Sequence, residues 1–262
     1  DWSSDVCSSD LGYQALAQSG HDKASLMGSD GGVFVRIAQS DWENVQKDLS
    51  SRATSFSNLG MDPGAGAGRV SYLLGLKGPC FAVNTACSSS LVALDAACLN
   101  VTLGSCGFAV AAGTNLQLHA GNWAGFCAMR ALSADGQCKT FDESADGYGR
   151  GEACGAMVIR SSKRDGDLKE TAREQALAWL TGTAVNQDGK SASFMAPNGP
   201  SQQAVIRRTL DRSAMKVGLM EHVECHGTGT ALGDPIEVGA LRAVHGDDAK
   251  GGDVGSFSTT DR

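Results

Sequence analysis

A cysteine set among small residues is the clearest candidate for chemistry in this chain. Cys87 lies in VNTACSSSLVA, residues 83–93, between a short apolar run and an Ala/Leu-rich pattern typical of a helix. We predict a strand over Cys80–Val83 and a helix over residues 88–99, so Cys87 would lie where the strand turns into the helix. The N–H groups and positive dipole end of a helix start favour a thiolate and can bind a thioester oxyanion. Position alone leaves two readings equally open, a nucleophile and a buried structural thiol.

A histidine that follows a short apolar segment is the second candidate. His226 lies in VECHGTGTALGDPIE, residues 223–237, and small and hydroxylated residues follow it. A strand over residues 222–225 would place the imidazole at a strand end, where it can face a pocket. A lone histidine is more often structural, so the interest of His226 comes from its coincidence with Cys87.

Composition and charge exclude several functional classes. The 262 residues carry a net charge of −7 and no basic stripe, which argues against nucleic acid and anionic membranes as partners. No apolar run approaches the roughly 18 residues that span a bilayer, so we predict no membrane span. The nine cysteines include no CxxC pair, so we expect reduced thiols in a cytoplasmic protein, without a zinc site or a disulfide framework. The glycine-rich segments 64–68 and 227–233 lack the spacing of a dinucleotide loop.

The elements that would position these residues alternate along the chain. Apolar runs predict further strands at residues 32–37, 108–112 and 153–159, with helices between them. This alternation predicts an α/β fold with mainly parallel strand pairing. A polar loop with two Asp-Gly turns spans residues 133–151, and the polar turn at residues 161–167 is the best internal boundary.

Two helix ends are also marked in the sequence. For the helix after the histidine motif we predict a capping box, with Asp234 as N-cap, Pro235 at N1 and Glu237 at N3. Near the start of the chain, a helix over residues 13–19 ends at a glycine. His21 follows that glycine and is predicted to lie at the surface.

Several motifs together resemble the β-ketoacyl synthase domains of type I polyketide synthases. They are NTACSSSLVA, ADGYGRGEACGA, AVNQDGKSASFMAPNGPSQQAV and VECHGTGTALGDPIE, and GRVSYLLGLKGP matches upstream. The likeness runs in order from about residue 12 to Ser256. It implies a thiolase-like fold in which two similar halves stack in αβαβα layers. Residues 12–166 would be the N-terminal half with the nucleophile, and residues 167–262 the start of the C-terminal half with the first catalytic histidine.

The resemblance also implies a mechanism. Cys87 would take an acyl group as a thioester, and His226 would help stabilise the enolate formed when a malonyl-type unit loses CO2. The carbanion would attack the thioester in a decarboxylative Claisen condensation, as in polyketide or fatty acid biosynthesis. Such an enzyme is an acyltransferase of the 3-oxoacyl-[acyl-carrier-protein] synthase type.

Partners follow from the same resemblance. Thr228 and Thr230 would contact the phosphopantetheine arm of an acyl carrier protein, and the enzyme would have no cofactor or metal of its own. Acyltransferase and other polyketide synthase domains would lie in the parent chain. The family also implies a homodimer.

The chain departs from the family at a few places. Asn84 stands where the family has Asp, and Ala153 where a GEG motif has its second Gly. After Ser256 the family continues with a lysine and an NxGH segment that carries the second histidine, whereas this sequence reads FSTTDR. We therefore expect a fragment, incomplete at both ends, that does not condense acyl groups by itself.

The first eleven residues, DWSSDVCSSDL, read unlike the rest of the chain. They are rich in Ser and Asp, show no helix or strand period, and match the translation of a common sequencing adapter residue by residue. We expect residues 1–11 to be non-native and leave them out of the fold prediction. A disordered acidic tail is the alternative.

Other enzymes and a non-enzymatic partner compete with this reading. A papain-like cysteine protease fits the 139 positions between Cys87 and His226, but the motif CGSCW is absent. Thiolases and chalcone-type synthases share the expected fold, and TACSSS with HGTGT favours the carrier-dependent synthases over them. A chain-length-factor-like partner would have lost its nucleophile, which the presence of Cys87 argues against.

Overall fold

Four strands form one mixed sheet in the computed structural model of the chain. The structure describes residues 2–37, 41–48, 59–60, 62–162 and 176–246. Within them the strands are β1 (Gly32–Arg36), β2 (Cys80–Val83), β3 (Phe108–Asn115) and β4 (Ala153–Arg160), in the order β2-β1-β3-β4. β1 pairs in parallel with β2 and β3, and β4 runs antiparallel to β3. The strands predicted at residues 32–37, 80–83, 108–112 and 153–159 and their mainly parallel pairing are confirmed, whereas no strand forms over residues 222–225.

Helices connect and flank these strands. They are α1 (Trp2–Gln18), α2 (Lys23–Leu26), α3 (Asp41–Asp48), α4 (Pro63–Leu74), α5 (Ser89–Leu103), α6 (Ala120–Ala128), α7 (Gly199–Ser213) and α8 (Gly233–His245), with one-turn 3-10 helices at Ala86–Ser88 and Val217–Leu219. α1 contains most of the helix predicted over residues 13–19, but it already begins inside the segment for which no helix period was found. α5 extends four residues beyond its predicted end at residue 99 and stops where Gly104 takes a left-handed conformation, with φ of 82°.

Alternate residues of β1 serve two separate cores, one on each face of the sheet. Val33 and Val35 lie in one core together with residues of α1 and α4. Phe34 lies in the other core, where the small residues Ala93 and Ala97 bring α5 close to the sheet. Because both faces of β1 are covered, its first four residues form an uninterrupted apolar run and show no alternation with polar residues. The result is a layer of helices on each side of the sheet.

α5 and the turn before it are long and apolar enough, by length and composition alone, to cross a membrane. The 18-residue window is Ala86–Leu103, and no second helix in the described part of the chain meets the same criteria. The sequence predicts no span because none of its uninterrupted apolar runs is long enough. This window is apolar on average but contains polar residues. The core helix of a soluble domain passes the same test, and α5 packs on β1 and β3. The window is therefore weak evidence for a membrane span.

The chain divides into two compact units. The first is Asp1–Asn122 with Gly151–Trp179, and the second is Trp123–Arg150 with Leu180–Arg262. The first unit holds the sheet, and the second holds α7 and α8, which pack on each other. The polar loop predicted at residues 133–151 lies, except for its last residue, in the second unit, although it precedes the boundary predicted from the sequence.

His21 differs from its predicted position at the surface. It is half-buried, its ring lies against that of Phe108 with 4.4 Å between centroids, and its Nε2 atom is buried without a hydrogen-bond partner. Burial lowers the pKa of this imidazole, and the charge of Arg160 lowers it further, against a smaller opposing effect of Asp22. The surface prediction is wrong because the ring that covers His21 comes from a strand far away in the sequence.

We expect the free energy of unfolding to fall between about pH 7.5 and about pH 5.5, and to fall less in the variant His21→Phe. The folded state disfavours the charged imidazole, so the unfolded chain, with a pKa of about 6.5, takes up the proton first. Stability is therefore present above that value and is lost as the pH drops below it. Urea unfolding at both pH values measures the difference. His222→Phe, at an exposed histidine, is the matched control; a pH dependence unchanged by His21→Phe would contradict the expectation.

Candidate active site

Cys87 lies at the junction of a strand and a helix, as predicted. It is exposed and occupies the middle of the one-turn helix Ala86–Ser88, between the end of β2 and the start of α5. It is not part of a disulfide. The residue therefore lies at the N-terminal end of a 15-residue helix, the end that carries the positive pole of the helix dipole.

The backbone just before Cys87 has an unusual conformation. Ala86 has a φ of 57°, in the left-handed region, which costs free energy for any residue with a β carbon. The Ser89 hydroxyl oxygen accepts the Thr85 N–H at 2.8 Å, and the same hydroxyl donates to the Ala86 carbonyl at 2.6 Å. Ser89 is fully buried. This hydroxyl thus closes the segment that we call the Cys87 turn, residues 84–89.

Exposed side chains brace the Cys87 turn as well. The hydroxyl oxygens of Thr85 and Ser88 are 2.9 Å apart, and the Ser88 hydroxyl is also 2.9 Å from the Thr85 carbonyl, to which it donates. The side-chain oxygen of Asn84 accepts the Ala86 N–H at 3.2 Å. An aspartate could accept the same hydrogen bond, so the departure from the family at Asn84 preserves this contact.

The start of α5 is suited to stabilising negative charge. Ser88 is its N-cap residue, and its side chain makes no capping hydrogen bond to the helix. N–H groups in the first turn of a helix have no partner within the helix, and together with the dipole they attract anions. The arrangement can therefore favour the thiolate of Cys87 or the oxyanion formed when a thioester carbonyl is attacked.

Two other cysteines have environments that oppose ionisation. Burial raises the pKa of the Cys98 thiol, and the carboxylate of Asp95 raises it further. Burial also raises the pKa of Cys225, with additional contributions from nearby carboxylates, the largest from Glu237. Because the thiolate is the nucleophilic form, these two thiols are poorer candidates than the exposed Cys87.

Glu237 holds the backbone at the second predicted residue. One of its carboxylate oxygens accepts the N–H of His226 at 2.7 Å, and the other accepts the N–H of Gly227 at 2.9 Å. His226 itself is exposed. The bidentate contact fixes the backbone of the first two residues of the HGTGT loop, residues 226–230, and leaves the imidazole at the surface of the second unit.

Asp234 holds the same loop from a buried position. It is 4% exposed; one carboxylate oxygen accepts the Gly229 N–H at 3.1 Å, and the other accepts the Phe141 N–H at 2.8 Å. Phe141 belongs to the polar loop before β4. One buried carboxylate therefore ties together two loops that are distant in the sequence, and each of its oxygens has a backbone partner.

The capping box predicted for α8 is wrong. The helix begins at Gly233, and the side chain of its N-cap residue, Leu232, makes no capping hydrogen bond. Asp234 and Glu237 lie one and four residues into the helix, and their carboxylates accept N–H groups of neighbouring loops. Acidic residues near a helix start interact well with the dipole in both arrangements, so the sequence pattern does not distinguish them.

The structure brings Thr228 and Thr230 together. Their hydroxyl oxygens are 3.1 Å apart, and the Thr230 hydroxyl accepts the N–H of Gly233 at 3.1 Å. Both residues are half-buried. Since a hydroxyl has one donor and two acceptor sites, the pair can bond further polar atoms. The contact of these threonines with a pantetheine arm stays a prediction.

The polar loop before β4 supports the HGTGT loop. The Thr140 hydroxyl donates to the Gly227 carbonyl at 2.6 Å, and the Gly147 N–H donates to the Gly229 carbonyl at 2.9 Å. Gly229 has a φ of 69°, and a β carbon there would lie 2.7 Å from the backbone nitrogen of Lys139. Glycine at this position is required by both the backbone conformation and the close approach of the two loops.

A small charge network keeps the polar loop in shape. Lys139 pairs with Asp135 at 3.1 Å and with Asp146 at 2.8 Å. Hydrogen bonding from the Ser133 hydroxyl, and then from Lys139, lowers the pKa of Asp135 to about 2. Hydrogen bonding from Lys139 also lowers the pKa of Asp146. The sequence predicts a loop with turns here but not its supporting role, since the spacing of charges does not show which backbone the loop contacts.

The predicted site residues fall in both units. Cys87 belongs to the first unit, whereas His226, Thr228 and Thr230 belong to the second. The Ser89 hydroxyl closes the Cys87 turn, a role that was not predicted from the sequence. The hydroxyl-rich motif TACSSS is the signal that could have indicated it. In the ranges that the structure covers, no group of three or more His, Cys, Asp or Glu side chains is arranged to hold a metal ion.

Two protein-family models together match most of the chain. The family model described as Beta-ketoacyl synthase, N-terminal domain matches residues 8–165, and the one described as Beta-ketoacyl synthase, C-terminal domain matches residues 177–260. Among curated proteins, the chain is 40% identical over 240 residues to erythronolide synthase EryA3 of Saccharopolyspora erythraea. It is 41% identical over 234 residues to the pikromycin polyketide synthase component PikAII of Streptomyces venezuelae.

Solved structures with the same fold agree with these matches. A ketosynthase from module 6 of the bacillaene synthase of Bacillus subtilis 168 has a TM-score of 0.85 at 29% identity. The oxazolomycin ketosynthase domain OzmH KS7 of Streptomyces albus JA3453 has a TM-score of 0.87 at 30% identity. These likenesses confirm the expected thiolase-like α/β fold.

The chain spans only part of each protein that it matches. The alignment with the Saccharopolyspora protein includes 90% of this chain but 7% of that protein. The alignment with the Streptomyces venezuelae protein includes 89% of this chain but 6% of that protein. The structural matches include 98% of this chain and 43% of each solved chain.

Proposed function

The chain belongs to the β-ketoacyl synthase family, and we propose that it is part of a ketosynthase domain in a modular polyketide synthase. The domain would be an acyltransferase that lengthens an acyl chain by decarboxylative condensation. The observation that carries this proposal is the exposed cysteine at the strand-to-helix turn, within the segment that the N-terminal family model matches. A papain-like protease, the alternative from Cys–His spacing, does not fit this family.

In the first step, Cys87 would accept the acyl group. The thiol of Cys87 loses its proton, the thiolate attacks the carbonyl of an acyl thioester on the carrier, and an S–acyl bond to Cys87 forms. The bond from the acyl carbon to the carrier sulfur breaks, and the carrier thiolate leaves and takes up the proton that Cys87 lost. Support comes from the position of Cys87 at the N-terminal end of α5, where helix N–H groups can bind the oxyanion. The small residues around Cys87 leave space for the acyl chain.

In the second step, a carbon–carbon bond would form. The bond from a malonyl-type unit to its carboxylate breaks, CO2 leaves, and the electron pair becomes an enolate. The His226 imidazole would stabilise that enolate by donating a hydrogen bond, together with a second histidine of the family. The enolate carbon attacks the Cys87 thioester, the Cys87 thiolate leaves, and a 3-oxoacyl chain remains on the carrier. The fixed backbone of the HGTGT loop supports a defined place for the imidazole.

The partners of this reaction are proposed on the same basis. An acyl carrier protein would deliver both units on its phosphopantetheine arm, with Thr228 and Thr230 as contacts; their paired, half-buried hydroxyls support this role. Other polyketide synthase domains, including an acyltransferase, would lie in the same parent chain. A homodimer is supported by the position of β2 at the edge of the described sheet, where a second copy could add its own strand.

Product formation in the complete protein that carries this chain tests the proposal. With an acyl N-acetylcysteamine thioester and a malonyl-acyl carrier protein as probes, we expect release of CO2 and a 3-oxoacyl product on the carrier, detected by mass spectrometry. His226→Ala is expected to retain the Cys87 adduct, and its product formation is expected to fall by about 100-fold or more. The 262-residue chain by itself is expected to form none. An active complete protein whose product survives Cys87→Ala would overturn the assignment.

A further inference from the structure

We propose that Ser89 is a positioning residue that determines where the sulfur of Cys87 lies. The inference rests on the proposed role of Cys87 as acyl acceptor. Ser89 has no role in the two reaction steps described above. Ser89 does not touch the reacting atoms. It acts through the backbone of the Cys87 turn, residues 84–89.

Hydrogen bonds of Ser89 cross the turn. The hydroxyl of Ser89 accepts the Thr85 N–H at 2.8 Å and donates to the Ala86 carbonyl at 2.6 Å. The Ser89 backbone N–H also donates to the Ala86 carbonyl. Both residues before Cys87 are therefore tied to the residue that begins α5, and Cys87 lies between the tied ends.

A strained residue, Ala86, lies in the middle of these hydrogen bonds. Ala86 has a φ of 57°, a conformation that residues with a β carbon avoid unless their surroundings impose it. Two of the bonds from Ser89 end on the carbonyl of Ala86. Without the hydroxyl, one of these bonds is lost together with the bond to Thr85. The backbone can then relax toward the right-handed region, and the position of Cys87 changes with it.

Other groups cannot replace the Ser89 hydroxyl. Ser89 is fully buried, so water cannot reach its place, whereas the bracing residues Thr85 and Ser88 are exposed. The helix cannot shift to compensate either. A β carbon on Gly113 of β3 would lie 3.3 Å from the β carbon of Ser90, so the backbone of the first turn of α5 lies close to the sheet.

The test compares four variants of the full chain in two assays. Ser89→Ala removes the hydroxyl, Ser89→Thr retains it, and Ser90→Ala removes an exposed hydroxyl from the same helical turn as the matched control. The double variant Ser89→Ala with Ala86→Gly removes the hydroxyl and also the cost of the left-handed conformation. One assay is acylation of Cys87 by an acyl N-acetylcysteamine thioester, followed by mass spectrometry. The other is the pH profile of Cys87 alkylation by iodoacetamide.

Ser89→Ala is expected to acylate about 10- to 100-fold more slowly, because small displacements of a reacting atom have effects of this size. Its alkylation profile should shift to higher pH as the thiolate moves away from the helix N–H groups. Ser89→Thr and the double variant should recover part of the rate, and Ser90→Ala should remain within about threefold of the wild type. A merely structural serine would change the melting temperature without moving the pH profile.

Two results overturn the inference, and both differ from a failure of the proposed function. The inference is wrong if Ser89→Ala has the acylation rate and the alkylation pH profile of the wild type. It is also wrong if Ser90→Ala lowers the acylation rate as much as Ser89→Ala does. A wild type that forms no adduct on Cys87 refutes the proposed function instead. Should Ser89→Ala not fold, Ser89→Thr is compared with Ser89→Val, because valine has nearly the size of threonine and carries a methyl group in place of the hydroxyl. Equal rates in that pair also overturn the inference.

Discussion

Cys87→Ala is expected to eliminate acyl transfer to this protein, with a loss of about 1000-fold or more in adduct formation. Removing the nucleophile from an enzyme that works through a covalent intermediate leaves only the contribution of binding and of the oxyanion site. Mass spectrometry of the intact chain after incubation with an acyl thioester measures the adduct, and peptide mapping locates it. The same change should abolish condensation in the complete protein, since no thioester is then available to the enolate.

The matched control for this experiment is Cys127→Ala. Cys127 is also exposed and lies on α6, outside the Cys87 turn. The variant Cys127→Ala should be acylated on Cys87 at the wild-type rate. Because Cys87 is exposed, its truncation should change the free energy of unfolding by no more than about 0.5 kcal/mol, so loss of the adduct would not reflect unfolding. An adduct that survives Cys87→Ala would show that another residue accepts the acyl group.

Asp234→Ala is expected to lower the free energy of unfolding by about 3 kcal/mol. The substitution leaves the buried N–H of Gly229 and the part-buried N–H of Phe141 without their charged acceptor, and such a loss costs roughly 1–3 kcal/mol for a buried group. Asp234→Asn retains one acceptor oxygen and should fall about halfway between. Urea unfolding measures both effects.

Asp211→Ala serves as the matched control for the Asp234 variants. Asp211 is an exposed aspartate on α7 in the same unit, and its substitution should change the free energy of unfolding by no more than about 0.5 kcal/mol. If Asp234→Ala had the same free energy of unfolding as Asp211→Ala, water or another group would have to accept the two N–H groups. That result would remove Asp234 as the link between the two loops.

The same contacts separate the two steps of the reaction. Asp234→Asn removes hydrogen bonds of the HGTGT loop, whereas Thr85, Ala86 and Ser89 shape the Cys87 turn, so acylation of Cys87 should stay within about threefold of the wild type. Condensation in the complete protein should fall further, because the backbone that carries His226 is less well fixed. Acylation that falls in parallel with condensation would contradict this separation.

Local sequence patterns determined the position of the proposed nucleophile. The apolar run of β2, the small residues after it and the Ala/Leu pattern of α5 specify a strand, a turn and a helix through interactions between near neighbours. The apolar run of β1 likewise predicts a strand with both faces covered. Such features depend on residues a few positions apart, and they are confirmed. The motifs around Cys87 and His226 also predicted the family.

Tertiary structure decided where the polar groups find their partners. Asp234 and Glu237 satisfy a capping pattern in the sequence, yet they bind the N–H groups of two loops, one of them 93 positions away from Asp234. The strand predicted over residues 222–225 is reduced to a single bridging residue, Glu224.

The same holds for side chains whose surroundings come from elsewhere in the chain. His21 is covered by Phe108, and Ser89 is buried because α5 packs against the sheet. A hydrogen-bond acceptor or a half-buried ring takes whichever partner the packed chain brings within reach, and local sequence does not encode that choice. The identity of the reactive thiol is therefore legible in a short motif, whereas the contacts that hold it in place emerge only when distant segments pack together.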